Sequence, residues 1–117
     1  MAGTNVGRQS PRPLVVTCVR RGGGRQRIRV IGDLDASAVA GFHAKVTPLV
    51  APPARIVELD LVGVGFCDVA GGRELLMLRC QAARQQIRLD LVAAHPAVWF
   101  LLHLLDEQAW LLHPGQQ

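Results

Sequence analysis

The sequence predicts an α/β domain: a mixed sheet of four to five strands with helices packed mainly on one face. Two observations carry this. The first is period-two alternation. Ile28 and Val30 share a face opposite Arg27 and Arg29. Val57, Leu59 and Leu61 alternate with Glu58 and Asp60, and Ile87, Leu89 and Leu91 alternate with Arg88 and Asp90. Such alternation marks a sheet covered on one side and wet on the other; a doubly covered parallel sheet gives unbroken apolar runs instead. The second is the order of segments, a hairpin followed by helix, strand, helix, strand, helix. With 117 residues, half of them apolar, the chain is long enough for one cored domain and too apolar for global disorder.

Met1 to Pro13 is polar and contains Pro, so residues 1–13 read as a flexible arm and residues 14–113 as the domain. Leu14 to Val19 reads as the first strand. Arg21-Gly22-Gly23-Gly24-Arg25 is a turn, because glycine takes positive φ without strain, and Gln26 to Ile31 is the second strand. Gly32-Asp33-Leu34-Asp35 ends it. Asp35 is placed to cap a helix from Ala36 to Val50, which Ala51-Pro52-Pro53-Ala54 stops. Arg55 to Leu61 is the third strand, Gly71 to Gln85 the second helix and Ile87 to Val92 the fourth strand. His95-Pro96 opens a helix to Leu105, since Pro is tolerated in a first turn, and Ala109 to Leu112 reads as a last short strand.

The net charge of +4 is unevenly distributed: residues 1–30 hold seven Arg and no acid. No aromatic residue lies among them to stack on bases, so nucleic acid is not the expected partner. The richest apolar run, Val98 to Leu105, is far short of the roughly 20 residues that span a bilayer, and the N-terminus has no signal-peptide core. A soluble cytoplasmic protein without membrane insertion is the expectation. Cys18, Cys67 and Cys80 have no Cys-x-x-Cys or metal spacing and read as buried free thiols. His43, His95, His103 and His113 are scattered, with no pair at metal-ligand spacing. Neither a Gly-x-Ser-x-Gly elbow nor a P-loop is present. The sequence therefore predicts no enzyme, no metal and no cofactor.

The segment from Arg55 to Arg84 carries the most information. A strand delivers the chain to Val62-Gly63-Val64-Gly65-Phe66-Cys67-Asp68, and a helix starts there. Three landmarks fall in order: Gly32-Asp33-Leu34-Asp35, then Glu58-Leu59-Asp60-Leu61-Val62-Gly63-Val64, then Phe66-Cys67-Asp68-Val69-Ala70-Gly71. Together they resemble the STAS domain of anti-sigma factor antagonists, in which the corresponding stretches read Gly-Glu-Leu-Asp, Leu-Asp-Leu-Ser-Gly-Val and Phe-Ile-Asp-Ser-Ser-Gly. The resemblance spans about Leu14 to Leu112. It implies a STAS-like fold and a cytoplasmic partner, an anti-sigma factor of the serine-kinase type, with a homodimer or a STAS paralogue as further partners. It places partner binding on Asp33, Asp35, Asp68, Val69, Ala70, Gly71, Gly72 and Arg73.

The departures are chemical. Val69 stands where the family carries its phosphorylated Ser, and Ala70 where the next hydroxyl would be, so phosphotransfer at this loop is excluded. Gly72 replaces a usual Leu. The expectation is a constitutive binder without a Ser switch. Asp68 has two readings, a docking contact and the N-cap of the second helix, and Asp33 and Asp35 divide likewise between docking and capping. Ser37 reads as a helix-terminal polar residue. The third helix, Ala97 to Leu105, is apolar almost all round, so Trp99 and Phe100 are candidates for an interface. Two other functions stay open: a small STAS subunit of an ABC-type lipid-transport complex, and a scaffold that pairs with other STAS proteins.

Overall fold

The structure, a computed structural model, describes residues 12–105. Its elements are β1 (Val15–Gly22), β2 (Arg25–Leu34), α1 (Val39–Val46), β3 (Ile56–Cys67), α2 (Val69–Arg84), β4 (Arg88–Ala94) and α3 (Pro96–Leu105). The four strands form one mixed sheet in sequence order: β1 pairs antiparallel with β2, while β3 runs parallel to both β2 and β4. The helices fill the crossovers that parallel neighbours require. The segment read as a last strand, Ala109 to Leu112, lies outside the described residues, as does residues 1–11 of the arm.

One sheet face and three helices build the core. Ile28, Val30, Val57, Leu59, Leu61, Leu89 and Leu91 point into it, against Phe42 and Val46 of α1, Leu75, Leu78 and Ala82 of α2, and Val98 and Leu102 of α3. The opposite face carries ion pairs across the strands, as the alternation implies. Arg25 and Arg27 each reach Glu58 at 3.3 Å, and Asp60 takes Arg27 at 3.2 Å and Arg29 at 3.5 Å. Burial pushes the Asp60 carboxyl upward. The Val62 backbone N–H and the two guanidinium groups outweigh it and hold Asp60 below the usual carboxylate range.

Several boundaries differ from the sequence expectation. The helix expected from Ala36 to Val50 is broken into a 3-10 turn (Ala36–Ala38), α1, and a second 3-10 turn (Thr47–Leu49) that holds Pro48. β2 runs on through Gly32, Asp33 and Leu34, and β3 continues through Val62–Cys67, which the sequence marks as a turn. The reason lies in two bulges. Arg29 and Ile31 pair with Asp60 and Gly63, and Gly32 and Asp33 pair with Val64 and Phe66, so β3 carries one extra residue at each place. Each extra residue inverts the alternation and hides the strand from a period-two reading. Gly63 is required there, because a Cβ would come within 2.7 Å of the Ile31 side chain. With its added length β3 ends where Cys67 pairs with Leu34, and α2 begins two residues earlier than expected, at Val69.

Candidate functional site

The C-terminal ends of β2 and β3 lie side by side, so the segments that leave them form one apex. Asp68 is the N-cap of α2: its Oδ1 accepts from the Gly71 N–H at 2.9 Å. Its Oδ2 accepts from the Ala36 N–H at 3.0 Å, across the apex. The Asp68 N–H in turn donates to the Leu34 carbonyl at 3.3 Å. Asp35 does the same work on the neighbouring segment, its Oδ1 accepting from the Ala38 N–H at 3.1 Å and from the Ser37 hydroxyl at 2.7 Å. Two capped helical starts therefore stand together, and one carboxylate holds both. The Asp35 and Asp68 carboxylates thus satisfy N–H groups of both starts.

The apex presents a short apolar residue at its tip. Val69 is 47% exposed, and Phe66 beside it is 42% exposed. Ala36, Ser37 and Arg73 are exposed as well, and Ala70 is half-buried. Gly71 and Gly72 are buried behind this surface. A Cβ on Gly71 would collide with the Leu34 carbonyl oxygen, and one on Gly72 would meet Leu105 at 2.7 Å and Leu101 at 3.1 Å. The glycine at 72 thus lets α3 lie directly on the first turn of α2, where a Leu would displace it. Asp33 and Asp35 are also buried. Asp33 holds the start of the described chain: the Arg12 N–H donates to its Oδ2 at 3.2 Å, and the Arg12 Nε lies 3.6 Å from its Oδ1. Arg12 and Pro13, read as the end of the arm, are placed here by those contacts. Both aspartates support the apex from behind rather than form its outer surface.

The third helix splits by face. Val98 and Leu102 are buried and Trp99 is packed against the core, whereas Phe100 and Leu104 are 63% and 64% exposed. Positions 100 and 104 share one side of the helix, so of the two residues expected at an interface Phe100 is exposed, with Leu104 on the same side, and Trp99 is not. Sequence reasoning passed over Phe66 and the Ala36 N–H. Phe66 was legible inside its motif; the Ala36 contact exists only because two distant segments meet.

Cys67 sits under the apex, with its thiol 3.6 Å from the Asp68 carbonyl oxygen. Burial first, and the Asp68 carboxylate second, push its pKa to about 12. The expectation of three buried thiols needs correcting: Cys18 and Cys67 are half-buried and Cys80 is exposed. Native-state alkylation with iodoacetamide at neutral pH, read by mass spectrometry, is expected to label Cys80 and leave Cys67 intact, since burial and the Asp68 carboxylate disfavour the Cys67 thiolate. Equal labelling would show that Cys67 is not sealed. Among the described residues no cluster of His, Cys, Asp and Glu is arranged for a metal ion, and no helix is long and apolar enough to cross a membrane.

Solved structures share this architecture. The anti-sigma factor antagonist SpoIIAA in its unphosphorylated form matches with a TM-score of 0.67 at 18% identity, covering 82% of this chain and 84% of that one. The phosphorylated form of the Bacillus cell fate determinant SpoIIAA gives 0.64 at 18% identity, covering 82% and 87%. SLC26A9 gives 0.61 at 22% identity over 69% of this chain, a likeness confined to 16% of that larger protein. At such identities the likeness establishes the fold. No curated protein matches the sequence. The family evidence comes from the sequence model described as "Mlab, STAS domain", which matches residues 18–112, and on that match the chain belongs to the STAS domain family.

Proposed function

We propose that this domain is a non-catalytic protein-binding regulator that captures an anti-sigma factor of the serine-kinase type through the Asp68 apex, without a Ser phosphorylation switch. The observation that carries the proposal is Val69. It is half exposed at the tip of a rigidly capped helix start, and neither it nor Ala70 has a hydroxyl. The similarity to an anti-sigma factor antagonist supports the choice of partner. An uncharged apolar tip corresponds to the unphosphorylated form of such a loop. A phosphate there would add two negative charges beside Asp68 and burden docking with their desolvation.

Val69→Glu imitates that charge. Binding of the purified domain to a kinase-fold anti-sigma factor, measured by calorimetry, is expected to weaken about 30-fold or more, since burying an unpaired carboxylate costs about 2 kcal/mol or more. Unchanged affinity in the Glu variant would remove the apex from the interface.

A second function, docking on the cytoplasmic ATPase of an ABC-type lipid-transport complex, would use the exposed Phe100–Leu104 ridge. That function predicts the opposite sensitivity: Phe100→Asp abolishes capture of the ATPase and Val69→Glu leaves it intact.

A further inference from the structure

The sheet ends in two edge strands, and they differ. β4 carries Arg88 and Asp90, which pair with each other at 3.0 Å. Charged side chains of this kind guard an edge against a further strand. β1, at the other edge, has no such guard over most of its length. Val15-Val16-Thr17-Cys18-Val19 holds no charge and no proline, and all of it except Cys18 is β-branched; charge begins only at Arg20 and Arg21, beside the hairpin turn. Val15, Thr17 and Val19 are exposed on the outer sheet face, while Val16 and Cys18 are half-buried against the core. One side of β1 pairs with β2. Among the described residues, no hydrogen bond reaches the backbone of Val15 to Gly22 from any other element. An uncharged, β-branched edge with unpaired backbone groups is a template for another strand.

The side chains of β1 are complementary to those of β1 itself. A second copy can approach antiparallel, related by a twofold axis normal to the sheet. Opposing residues then lie on the same face, so the axis passes through a single residue. An axis through Val16 sets Arg12 opposite Arg20 of the second copy, and the reverse, which opposes like charges. An axis through Cys18 sets Arg20 against Val16 and Arg21 against Val15. An axis through Thr17 does neither. It places Val15 opposite Val19 of the second copy, Val19 opposite Val15, and Thr17 on Thr17; on the core face Val16 meets Cys18. Arg20 and Arg21 fall beyond this block, opposite Leu14 and Pro13. Ile31 is exposed and is the β2 partner of Val15, so Ile31, Val15 and Val19 of the second copy form one apolar row.

We propose that the β1 edge binds a second copy of this chain, the two β1 strands pairing antiparallel about Thr17 to join both sheets into one. The register follows from the arginines, which it keeps apart, and from Val15 and Val19, which it brings together. The contact is main-chain pairing along one strand with a short apolar row on each side of the axis. Such a contact lies at the small end of specific interfaces, so a reversible dimer with a Kd of about 10–100 μM is expected. The contact uses no residue of the apex and stands or falls separately from the partner proposed there.

The test is sedimentation velocity of the full chain from about 5 μM to about 1 mM, where a dimer fraction rising with concentration is expected. Thr17 is exposed and faces Arg29 of its own β2. Thr17→Glu therefore suits the monomer, while in the dimer two carboxylates would oppose each other across the axis. This variant is expected to keep the thermal midpoint and weaken the dimer at least about tenfold. Thr17→Lys is expected to weaken it likewise, and an equimolar mixture of the two variants to restore it. Disulfide cross-linking in a Cys80→Ser background reads the register. Thr17→Cys is expected to link to itself, and Val15→Cys to link to Val19→Cys but not to itself. A monomer at every concentration overturns the proposal. Hydrogen exchange then tells which other strand fits: protected Val15–Val19 amides mean that a terminal segment of the same chain covers the edge, and unprotected ones leave it for a different protein. A dimer indifferent to Thr17→Glu, a Glu–Lys mixture that stays apart, or Val15→Cys linking to itself, as parallel pairing gives, also overturns it.

Discussion

Gly71→Ala is expected to lower stability by about 2 kcal/mol and the thermal midpoint by about 10 °C, although alanine is the better helix former. Two effects oppose each other. Helix propensity favours Ala over Gly by about 1 kcal/mol. Against it, the new methyl would collide with the Leu34 carbonyl oxygen and come within 2.9 Å of Leu34 Cγ and 3.1 Å of the Cys67 sulfur. The carbonyl belongs to the end of β2 and also accepts the Asp68 N–H, so it cannot turn aside cheaply. Overpacking against backbone costs about 1–3 kcal/mol and occasionally more, which exceeds the propensity gain. The internal control is Gly41→Ala. Gly41 lies in α1 with nothing within 4 Å of a Cβ position, so there propensity acts alone and the substitution is expected to stabilise by up to about 1 kcal/mol. Opposite signs in two thermal denaturation curves confirm the account. A neutral or stabilising Gly71→Ala would show that the α2 start moves freely away from β2.

Asp68→Ala is expected to destabilise by about 2 kcal/mol, twice the usual loss of an N-cap. The carboxylate accepts two backbone N–H groups from different segments, Gly71 at 2.9 Å and Ala36 at 3.0 Å. Alanine leaves both without their partner. Each bond to the charged, part-buried group contributes about 1 kcal/mol net. Asp68→Asn keeps one carbonyl oxygen, while its NH₂ cannot accept, so it is expected to lose roughly half as much. Hydrogen exchange discriminates the two roles. Protection should fall at Gly71 and at Ala36 together in the Ala variant. A fall at Gly71 alone would reduce Asp68 to an ordinary cap and leave the two halves of the apex uncoupled.

Of the two readings of Asp68 in the sequence, the cap is what Oδ1 does, while Oδ2 makes a contact within the chain that neither reading names. The cap was legible because a short acceptor before a helical run is a local signal. The second contact was not, since Ala36 is 32 residues away and no spacing rule connects it. Gly72 behaves likewise. In the sequence it is a helix residue with poor propensity; in the structure it is the floor on which Leu101 and Leu105 rest. The apolar third helix resolved in the same manner. Its composition left a buried helix and an exposed side both open, and only the packing showed that Phe100 and Leu104 are exposed while Trp99 turns inward.

The strand faces and the order of elements were determined by the sequence alone. Alternation such as Val57, Leu59 and Leu61 against Glu58 and Asp60 reports which face each side chain takes, because neighbouring side chains in a strand must point to opposite faces. The absence of a hydroxyl at Val69 and Ala70 is likewise a property of composition that no fold can alter. Tertiary structure decided the rest. The bulges at Leu61–Val62 and near Gly65 conceal the true length of β3 from any periodic pattern, yet that length is what carries Cys67 alongside Leu34. The apex and the seat of α3 on Gly72 both arise where segments remote in sequence meet. Local propensity acts over a few residues, and contacts of this kind are selected by packing across the whole domain.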